Sequence, residues 1–351
     1  MFGEDFVWGV ASSAYQVEGT DAADGRGACV WDMFAADGRV FEHQNADTSC
    51  DHMHHYKEDI ALMRHLGIRA YRFSLNWARI LPEGTGRVNE KAIAMYRDMI
   101  LTMKENGITP YLTLFHWEFP QALYERGGWQ NPDVVQWFGE YAKVVAENFS
   151  DICEYFITIN EPQCVVGLGH LSGVHAPGVK LPVAQTFLVA HHLLMAHGQA
   201  VINLRRYAVR PVRIGFAPTG GVAYPYTDRS EDIEAAKKVY FGFYNPIDNW
   251  TWNVSWFSDP VFLGHYPEEG LKKFAPYLPE ITQEDMELIY QPLDFMGQNI
   301  YNGYYVRAGA DGEPEFVDRA PGFPKTGSDW PVTPEAFYYG IKFLTERYPL
   351  P

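Results

Sequence analysis

The sequence is poor in three features that often decide the class of a protein: basic residues, cysteine and long apolar runs. Its 351 residues carry 28 Lys and Arg against 44 Asp and Glu, a formal charge of −16. Binding to a phosphate backbone needs a basic surface, so the composition excludes a nucleic-acid partner. A membrane-spanning helix needs about 20 consecutive apolar residues. The most apolar segment, 181–196, is interrupted by Gln185, His191 and His192, so no membrane association is expected.

The few cysteines have irregular spacing and form no CxxC pair, so neither a disulfide framework nor a zinc site is predicted. The N-terminus carries the acidic residues Glu4 and Asp5 where a signal peptide would carry basic ones. The histidine-rich segment 51–55 invites a metal interpretation, because His52 and His55 are neighbours on a helix, but no third ligand is apparent and structural roles are favoured. We therefore expect a cytoplasmic protein without a metal or a cofactor. The cysteines are Cys29, Cys50, Cys153 and Cys164.

The sequence does have a large apolar fraction, 47%, and an alternation of short apolar strands with longer amphipathic helices. Such alternation predicts parallel strands joined by crossover helices. No linker or low-complexity stretch interrupts it, so we interpret residues 1–351 as one domain. The predicted strands are 6–15, 69–74, 109–116, 155–160, 212–218 and 294–301. The predicted helices are 52–66, 89–106, 132–148, 183–207, 230–240 and 334–347.

Two α/β architectures fit this alternation, an open doubly wound sheet and a closed (β/α) barrel. No G-x-G-x-x-G follows the first strand and no P-loop lysine is present, so a nucleotide-binding sheet is unsupported. Several strands instead end in polar or aromatic residues, and a barrel gathers the carboxyl ends of its strands into one pocket. These features favour an α/β fold of the (β/α)8 TIM-barrel type. The strand-end residues are Asn76, Trp77, His116, Trp117, Asn160, Glu161, Asn299 and Tyr301.

Glu161 is the main candidate for chemistry because it follows an apolar strand directly. Spacing alone fits an ordinary solvated loop glutamate beside Pro162 at least as well. A carboxyl group at a strand end in a partly apolar pocket can, however, serve as a general acid. No G-x-S-x-G or S-x-x-K motif is present, which disfavours acyl transfer by serine.

Aromatic and amide side chains at the strand ends form a second indication. Sugar rings have apolar C–H faces and polar edges, so a pocket that offers both kinds of surface suits a saccharide. Core packing is the commoner explanation for each aromatic residue taken alone, and their coincidence with strand ends makes the two explanations about equally good. The aromatic candidates are Trp8, Tyr15, Trp77, Trp117, Tyr301 and Trp330, and the polar ones are Gln16, His116, Asn160 and Asn299.

Together these residues resemble glycoside hydrolase family 1, the β-glucosidase family with a (β/α)8 barrel. The resemblance runs along the whole chain in seven ordered motifs, and the sequence T-I-N-E-P at 158–162 is similar to the family's T-x-N-E-P acid/base motif. The other motifs lie at 6–19, 71–80, 116–117, 175–178, 259–267 and 294–301.

The resemblance implies a retaining β-glycosidase that acts on a β-glucoside or a β-linked oligosaccharide, with Glu161 as general acid/base. It also implies that Tyr301 contacts the nucleophile and that Arg72 holds it electrostatically. Asn299 would support Glu161, and Trp330 would line the leaving-group side. The residues expected to bind the non-reducing sugar are Gln16, His116, Trp117 and Asn160.

Two departures from family patterns involve three residues. Glu118 stands where the family usually has Asp, which suggests a changed contact behind the site. Tyr15 and Trp117 stand where enzymes acting on 6-phosphorylated sugars usually have Asn and Phe. These two residues therefore favour an unphosphorylated glycoside.

A third departure concerns the nucleophile, which the family carries in an E-N-G motif on the seventh strand. This sequence contains no Glu-Asn-Gly. The predicted strands begin roughly 58 residues apart, so two further β/α units would need on the order of 100 residues. We therefore expect about six of the eight units here and an inactive or very weak chain. Either a homo-oligomer or a C-terminal segment beyond Pro351 would then cover the open edges of the sheet. The alternatives are a carbohydrate-binding pseudoenzyme and an incomplete fragment.

Overall fold

A computed structural model describes residues 3–20 and 24–348 of the chain. Most of the strand positions follow the runs of β-branched and aromatic residues, because these side chains pack well on a pleated surface. The strands are β1 (Gly9–Ala11), β2 (Ala70–Ser74), β3 (Thr109–Phe115), β4 (Tyr155–Asn160), β5 (Arg213–Ala217), β6 (Val222–Pro225), β7 (Phe295–Met296), β8 (Gly303–Ala308) and β9 (Pro314–Val317).

The α-helices alternate with the strands along the chain, as the amphipathic segments predict. The long helix α9 packs most extensively against α7. The helices are α1 (Ala14–Val17), α2 (Val30–Ala36), α3 (His52–His65), α4 (Trp77–Ile80), α5 (Glu90–Glu105), α6 (Gln121–Tyr124), α7 (Val134–Phe149), α8 (Pro162–Val166), α9 (Val183–Tyr207), α10 (Ser230–Phe241), α11 (Val254–Phe262), α12 (Glu268–Phe274), α13 (Gln283–Ile289) and α14 (Glu335–Arg347).

Six strands form one parallel sheet in the order β1-β2-β3-β4-β5-β7. This is the architecture of a TIM barrel with six of its strands in place, and it confirms the predicted fold class. Because the strands are parallel, their carboxyl ends lie at one edge of the sheet. A second, smaller sheet in the order β6-β8-β9 stands beside it and was not predicted.

Two predicted strands are longer than the observed ones by more than two residues. The segment 6–15 forms a strand only over Gly9–Ala11, because the chain turns at Ser13 and the backbone N–H of Ala14 donates to Ser74 Oγ at 2.8 Å. The segment 294–301 forms a strand only at Phe295–Met296, and Asn299 then joins Thr219 through an isolated bridge.

The core lies between the sheet and the helices. Trp77 is fully buried there and stacks on Tyr141, with ring centroids 5.1 Å apart. The prediction that Trp77 contributes to a sugar pocket is therefore wrong, since its strand-end position places the ring in the core. Gly198 of α9 allows a close approach to α13, because a Cβ there would lie 1.8 Å from the carbonyl oxygen of Leu288. Within the described residues, no helix is both long and apolar enough to cross a membrane.

Candidate active site

Glu161 lies at the carboxyl end of β4, where the strand turns into α8. Its backbone N–H donates to the carbonyl oxygen of Ala217 in β5 at 2.7 Å, and Pro162 begins the helix. The turn places Glu161 in the left-handed region, with φ of 47°. This conformation costs a non-glycine residue about 1 kcal/mol or more and is held by its surroundings. The side chain is only 5% exposed, so the fold orients a buried carboxyl group toward the strand ends.

The two oxygens of the Glu161 carboxyl group have different partners. Oε1 accepts hydrogen bonds from Asn299 Nδ2 and from the Tyr301 hydroxyl, the latter at 3.4 Å. Oε2 lies 3.2 Å from the thiol of Cys164, a much weaker donor. Burial and the nearby Glu161 carboxylate raise the pKa of the Cys164 thiol, so this side chain stays protonated. Oε1 is thus firmly held, whereas Oε2 has only a weak partner.

A hydrogen-bond network around this carboxyl group links residues of β2, β3 and β4 with Asn299, which follows β7. Arg72 of β2 donates to Asn160 Oδ1 at 2.6 Å, to Thr113 Oγ1 at 3.0 Å and to Asn299 Oδ1 at 3.3 Å. Asn299 Nδ2 also donates to Asn160 Oδ1 at 3.0 Å. Burial lowers the pKa of Arg72, and the Glu161 carboxyl group opposes this effect. All three hydrogen-bond acceptors of the guanidinium are neutral, so its positive charge attracts an anion to this side of the site.

His116 and Trp117 follow β3 and contact Asn160. His116 Nε2 lies 3.2 Å from Asn160 Nδ2, so this ring nitrogen accepts the hydrogen bond. Burial, with a smaller effect of the nearby Arg72, lowers the pKa of His116 to about 3, and the ring is neutral at ordinary pH. Trp117 donates from Nε1 to the carbonyl oxygen of Asn160 at 3.0 Å, and its backbone has a positive φ of 90°. The neutral rings therefore fix the end of β4 from one side.

Two cavities of 460 and 410 Å³ open beside this network. Both volumes fall in the range of small-molecule sites. We call the larger one the Glu161 cleft. Its lining residues are Trp117, Glu161, Cys164, Leu168, His175, Thr219, Gly220, Gly221, Trp252, Tyr301, Asn302 and Trp330.

The smaller cavity, which we call the Gln16 cavity, meets the Glu161 cleft at Trp117 and His175, since both residues line both spaces. Gln16 and His116 line the Gln16 cavity. The predicted aromatic residues Tyr301 and Trp330 lie in the Glu161 cleft, with ring centroids 5.2 Å apart. The remaining lining residues of the Gln16 cavity are Ser13, Tyr15, Trp31, Ala35, Val40, Gln44, Asn45, Ala46 and Ser49.

The structure thus brings the predicted site residues to one edge of the sheet, although in two adjoining spaces. Trp8 lines neither cavity and is 58% exposed. Tyr301 contacts Glu161, and its contact with the nucleophile, which the resemblance implies, stays a prediction. Sequence reasoning attached no function to Cys164 or His175. His175 could have been found, because it lies in one of the seven ordered motifs.

Glu118 is 1% exposed and lies behind the Gln16 cavity. Its Oε1 accepts a hydrogen bond from the backbone N–H of Tyr15 at 2.7 Å, so it holds the turn that carries Gln16. Its Oε2 is buried and has no hydrogen-bond partner among the described residues. Burial raises the pKa of this carboxyl group to about 8.

The predicted histidine-rich segment makes local contacts. His52 Nδ1 lies 2.6 Å from a carboxylate oxygen of Asp59, and His54 Nδ1 lies 2.5 Å from one of Asp51. No group of three or more His, Cys, Asp or Glu side chains in residues 3–20 and 24–348 is placed to hold a metal ion.

Comparison with known proteins connects this geometry to a family. The profile of glycosyl hydrolase family 1 matches residues 1–351. "Beta-glucosidase A" of Thermotoga maritima is 41% identical over 350 residues, which are 99% of this chain and 76% of that protein. "Beta-glucosidase" of Agrobacterium sp. is 37% identical over 355 residues, 100% of this chain and 75% of that protein.

Solved structures agree with the sequence relatives. The β-glucosidase of Thermotoga maritima in complex with glucoimidazole superposes with a TM-score of 0.87 at 41% identity, covering 100% of this chain and 77% of that one. The same enzyme in complex with castanospermine gives a TM-score of 0.87, covering 100% and 76%. The match extends along the described sheet, its helices and the strand ends that carry the site. The chain therefore belongs to glycosyl hydrolase family 1.

Proposed function

We propose that the protein is a retaining β-glycosidase that hydrolyses terminal, non-reducing β-D-glucosyl residues, with Glu161 as general acid/base. The observation that carries the proposal is the buried Glu161 carboxyl group at the end of β4, held by Asn299 and Tyr301 beside a 460 Å³ cleft. The sequence relatives are named β-glucosidases or glucan glucohydrolases, which supports the same reaction class. The substrate is then a β-glucoside or a β-linked oligosaccharide.

Glu161 acts twice in this reaction. As an acid it gives its proton to the glycosidic oxygen while the bond to the anomeric carbon breaks, and as a base it later takes a proton from water. Oε1 already accepts from two donors, so the exchanged proton resides on Oε2, beside Cys164. The leaving group therefore approaches the Oε2 side of the carboxyl group.

Retaining hydrolysis also needs a carboxylate nucleophile about 5–5.5 Å from the acid/base. The guanidinium of Arg72 supports such a group, because it is close to Glu161 and its hydrogen-bond acceptors are neutral. No Glu-Asn-Gly occurs in the 351 residues, so we propose that residues outside the printed sequence supply the nucleophile. The 351-residue chain alone is then inactive or very weak.

The sugar preference rests on side-chain chemistry. Neutral His116 and the amides of Gln16 and Asn160 offer donors and acceptors for hydroxyl groups, and Tyr15 with Trp117 favours an unphosphorylated sugar. We propose glucose as the main glycone, with galactosides and fucosides as further substrates. A cytoplasmic location, self-association and a covering C-terminal segment stay predictions.

A small anion tests the proposal on this chain directly. Azide near Arg72 can attack the anomeric carbon of a β-glucoside, the bond to the leaving oxygen breaks, and that oxygen takes the Glu161 proton. We expect little hydrolysis of 4-nitrophenyl β-glucoside without azide, and azide-dependent release of nitrophenol with formation of α-glucosyl azide.

The variant E161Q provides the matched control. E161Q should abolish the azide reaction of the 4-nitrophenyl glucoside, because 4-nitrophenol is the poorer leaving group. It should keep more of the parent rate with the dinitrophenyl glucoside, because dinitrophenol leaves without protonation. Equal loss for both substrates would argue against an acid role. A chain that neither reacts with azide nor binds glucose would contradict the proposed function.

A second candidate function is a carbohydrate-binding pseudoenzyme. It is favoured by one observation: among the residues that line the Glu161 cleft, Glu161 is the single carboxylate. This function predicts calorimetric binding of cellobiose without turnover, with or without azide. Turnover that E161Q removes would exclude it.

A further inference from the structure

Glu118 is a buried acid that the proposed reaction does not use. It is 1% exposed and lines neither the Glu161 cleft nor the Gln16 cavity. It reaches the sugar site through the backbone instead, because Oε1 accepts a hydrogen bond from the N–H of Tyr15 at 2.7 Å. Tyr15 and Gln16 are neighbours in α1, and both line the Gln16 cavity. A change at Glu118 can therefore be transmitted to a side chain that is expected to bind the glycone.

The helix that carries Gln16 depends on side chains outside it. α1 has only four residues, too few for a helix to be stable by itself. The backbone N–H groups at the start of a helix have no partner within it. Two side chains satisfy the first two of them here, since Ser74 Oγ accepts from Ala14 at 2.8 Å and Glu118 Oε1 accepts from Tyr15. The position of Gln16, which is itself exposed, therefore depends on these two anchors.

The second carboxyl oxygen of Glu118 is poorly placed to carry a charge. Oε2 is buried and has no hydrogen-bond partner among the described residues. Arg26 attracts a negative charge on Glu118, but its guanidinium is already bonded to both carboxylate oxygens of Asp32, at 2.8 and 3.1 Å. The nearby Glu18, which pairs with Arg79 at 3.2 Å, repels such a charge. The fold therefore accommodates Glu118 as the neutral acid.

The remaining titratable groups that face Glu118 keep one state when the pH rises. Burial raises the pKa of the Cys29 thiol and of the Tyr15 and Tyr141 hydroxyl groups, so all three stay protonated. Arg26 stays charged over the same range, because it is paired with a carboxylate. Within the part of the chain that the structure describes, Glu118 is thus the acid of this cluster that combines full burial with an unpaired oxygen.

We propose that Glu118 is a positioning residue of the glycone site and makes sugar binding depend on pH. The neutral acid holds α1 and Gln16 in the arrangement that binds the sugar, and the ionised acid weakens that binding. A buried charge must be hydrated or paired. When Glu118 releases its proton to solvent, the carboxylate therefore draws water toward Oε2, and the short helix anchored on Oε1 is the element that gives way. The inference rests on the proposed function, since only that function makes Gln16 a sugar-binding residue.

Calorimetric titration of the 351-residue chain with glucose at pH 6 and at pH 9 tests this role. Burial raises the pKa of Glu118 to about 8. At pH 9 about one tenth of the molecules then keep the proton, and binding to that fraction alone weakens the apparent affinity about tenfold. E118Q has the shape of the neutral acid and cannot ionise, so it should bind glucose equally well at both pH values. Glu161 and the other titrating groups are common to both proteins and cancel in the comparison.

S74A is the matched control, because Ser74 anchors the same helix and does not titrate. This variant should weaken glucose binding by the same factor at both pH values and keep the tenfold difference of the parent chain. A merely structural anchor is thereby separated from one that acts through its proton. Thermal melting at each pH confirms that the three proteins are folded. An S74A chain that lost the pH dependence would contradict the role of Glu118.

The other outcomes separate the two proposals. If the parent chain binds glucose equally well at both pH values, the role of Glu118 is refuted and the proposed function stands. The role is also refuted if E118Q loses affinity at pH 9 as the parent does, since another group then titrates. A folded E118Q that fails to bind at pH 6 refutes it as well, because the amide reproduces the neutral acid. If the parent chain binds glucose at neither pH, the proposed function fails and the inference fails with it.

Discussion

The substitution E118Q should make the stability of this protein less sensitive to alkaline pH. Glu118 is buried, its Oε1 accepts from the backbone N–H of Tyr15, and its Oε2 has no hydrogen-bond partner among the described residues. Burial raises its pKa from 4.5 to about 8. A glutamine has nearly the same shape as the protonated acid and can accept the same hydrogen bond, but it never ionises. The variant therefore removes one titration and keeps the packing.

The sign follows from proton binding. Between pH 4.5 and about 8 the folded state holds the Glu118 proton and the unfolded state has lost it, so the free energy of unfolding falls as the pH rises. Each pH unit between the pKa of the unfolded state and that of the folded state changes the free energy of unfolding by about 1.4 kcal/mol. The whole interval from 4.5 to about 8 therefore amounts to roughly 5 kcal/mol, an upper value for one buried carboxyl group. The stability of E118Q relative to the parent chain should rise by most of this amount from pH 5 to pH 8.5.

Urea unfolding at several pH values measures this difference directly. The difference between variant and parent is the useful quantity, because the buried histidines titrate in the same range and contribute equally to both proteins. E140Q, at an exposed position of α7, is the matched control and should give a flat difference. A difference for E118Q that stays within about 1 kcal/mol across the range would show that the Glu118 charge is tolerated in the folded protein, and would refute the reasoning.

Further predictions concern stability elsewhere in the fold. Burial lowers the pKa of His197 to about 3, so the folded state cannot take up the proton that the unfolded state binds below pH 6.5. Stability is therefore lost as the pH falls. H197Q should reduce the drop in melting temperature between pH 7 and pH 5. Asp259 is buried and pairs with Arg347 at the end of α14, so D259A should cost about 3 kcal/mol in urea unfolding, and R347M combined with it should restore part of the loss. G198A should lower the melting temperature, because overpacking against Leu288 costs about 1–3 kcal/mol of stability. A melting temperature equal to that of the parent would contradict the close helix contact.

The main sheet was predictable because each strand is a short apolar run with its own flanking signals. The observed bounds of β4, Tyr155–Asn160, and of α9, Val183–Tyr207, equal the predicted ones. The second sheet was missed because β6 is only four residues long and ends in a proline, while its partner β8 lies some 80 residues further along the chain. Strand pairing over such a distance along the chain leaves no local pattern in the sequence. That residues 1–351 form one domain stays a prediction.

The placement of the candidate residues at the strand ends was predictable, whereas their contacts were less so. The strand-end argument and the family resemblance identified Glu161, Asn299 and Arg72 as candidates, because each of these arguments uses only the position of a residue in the sequence. Which atoms meet depends on side-chain geometry across the sheet, and sequence could not give the contact of Tyr301 with Glu161 or the thiol of Cys164 at Oε2.

The network around Glu161 also bears on how the protein folds. Arg72 and Asn299 are 227 residues apart in sequence, and Asn299 and Glu161 are 138 apart. Contacts of such long range form late, because the entropy of closing a long loop is lost before the contact stabilises the chain. An intermediate that has assembled only β1 to β5 would therefore lack the amide that holds Oε1. Sugar binding followed during refolding should appear with the docking of β7, after most of the helical signal has returned, and so would report the completion of the sheet.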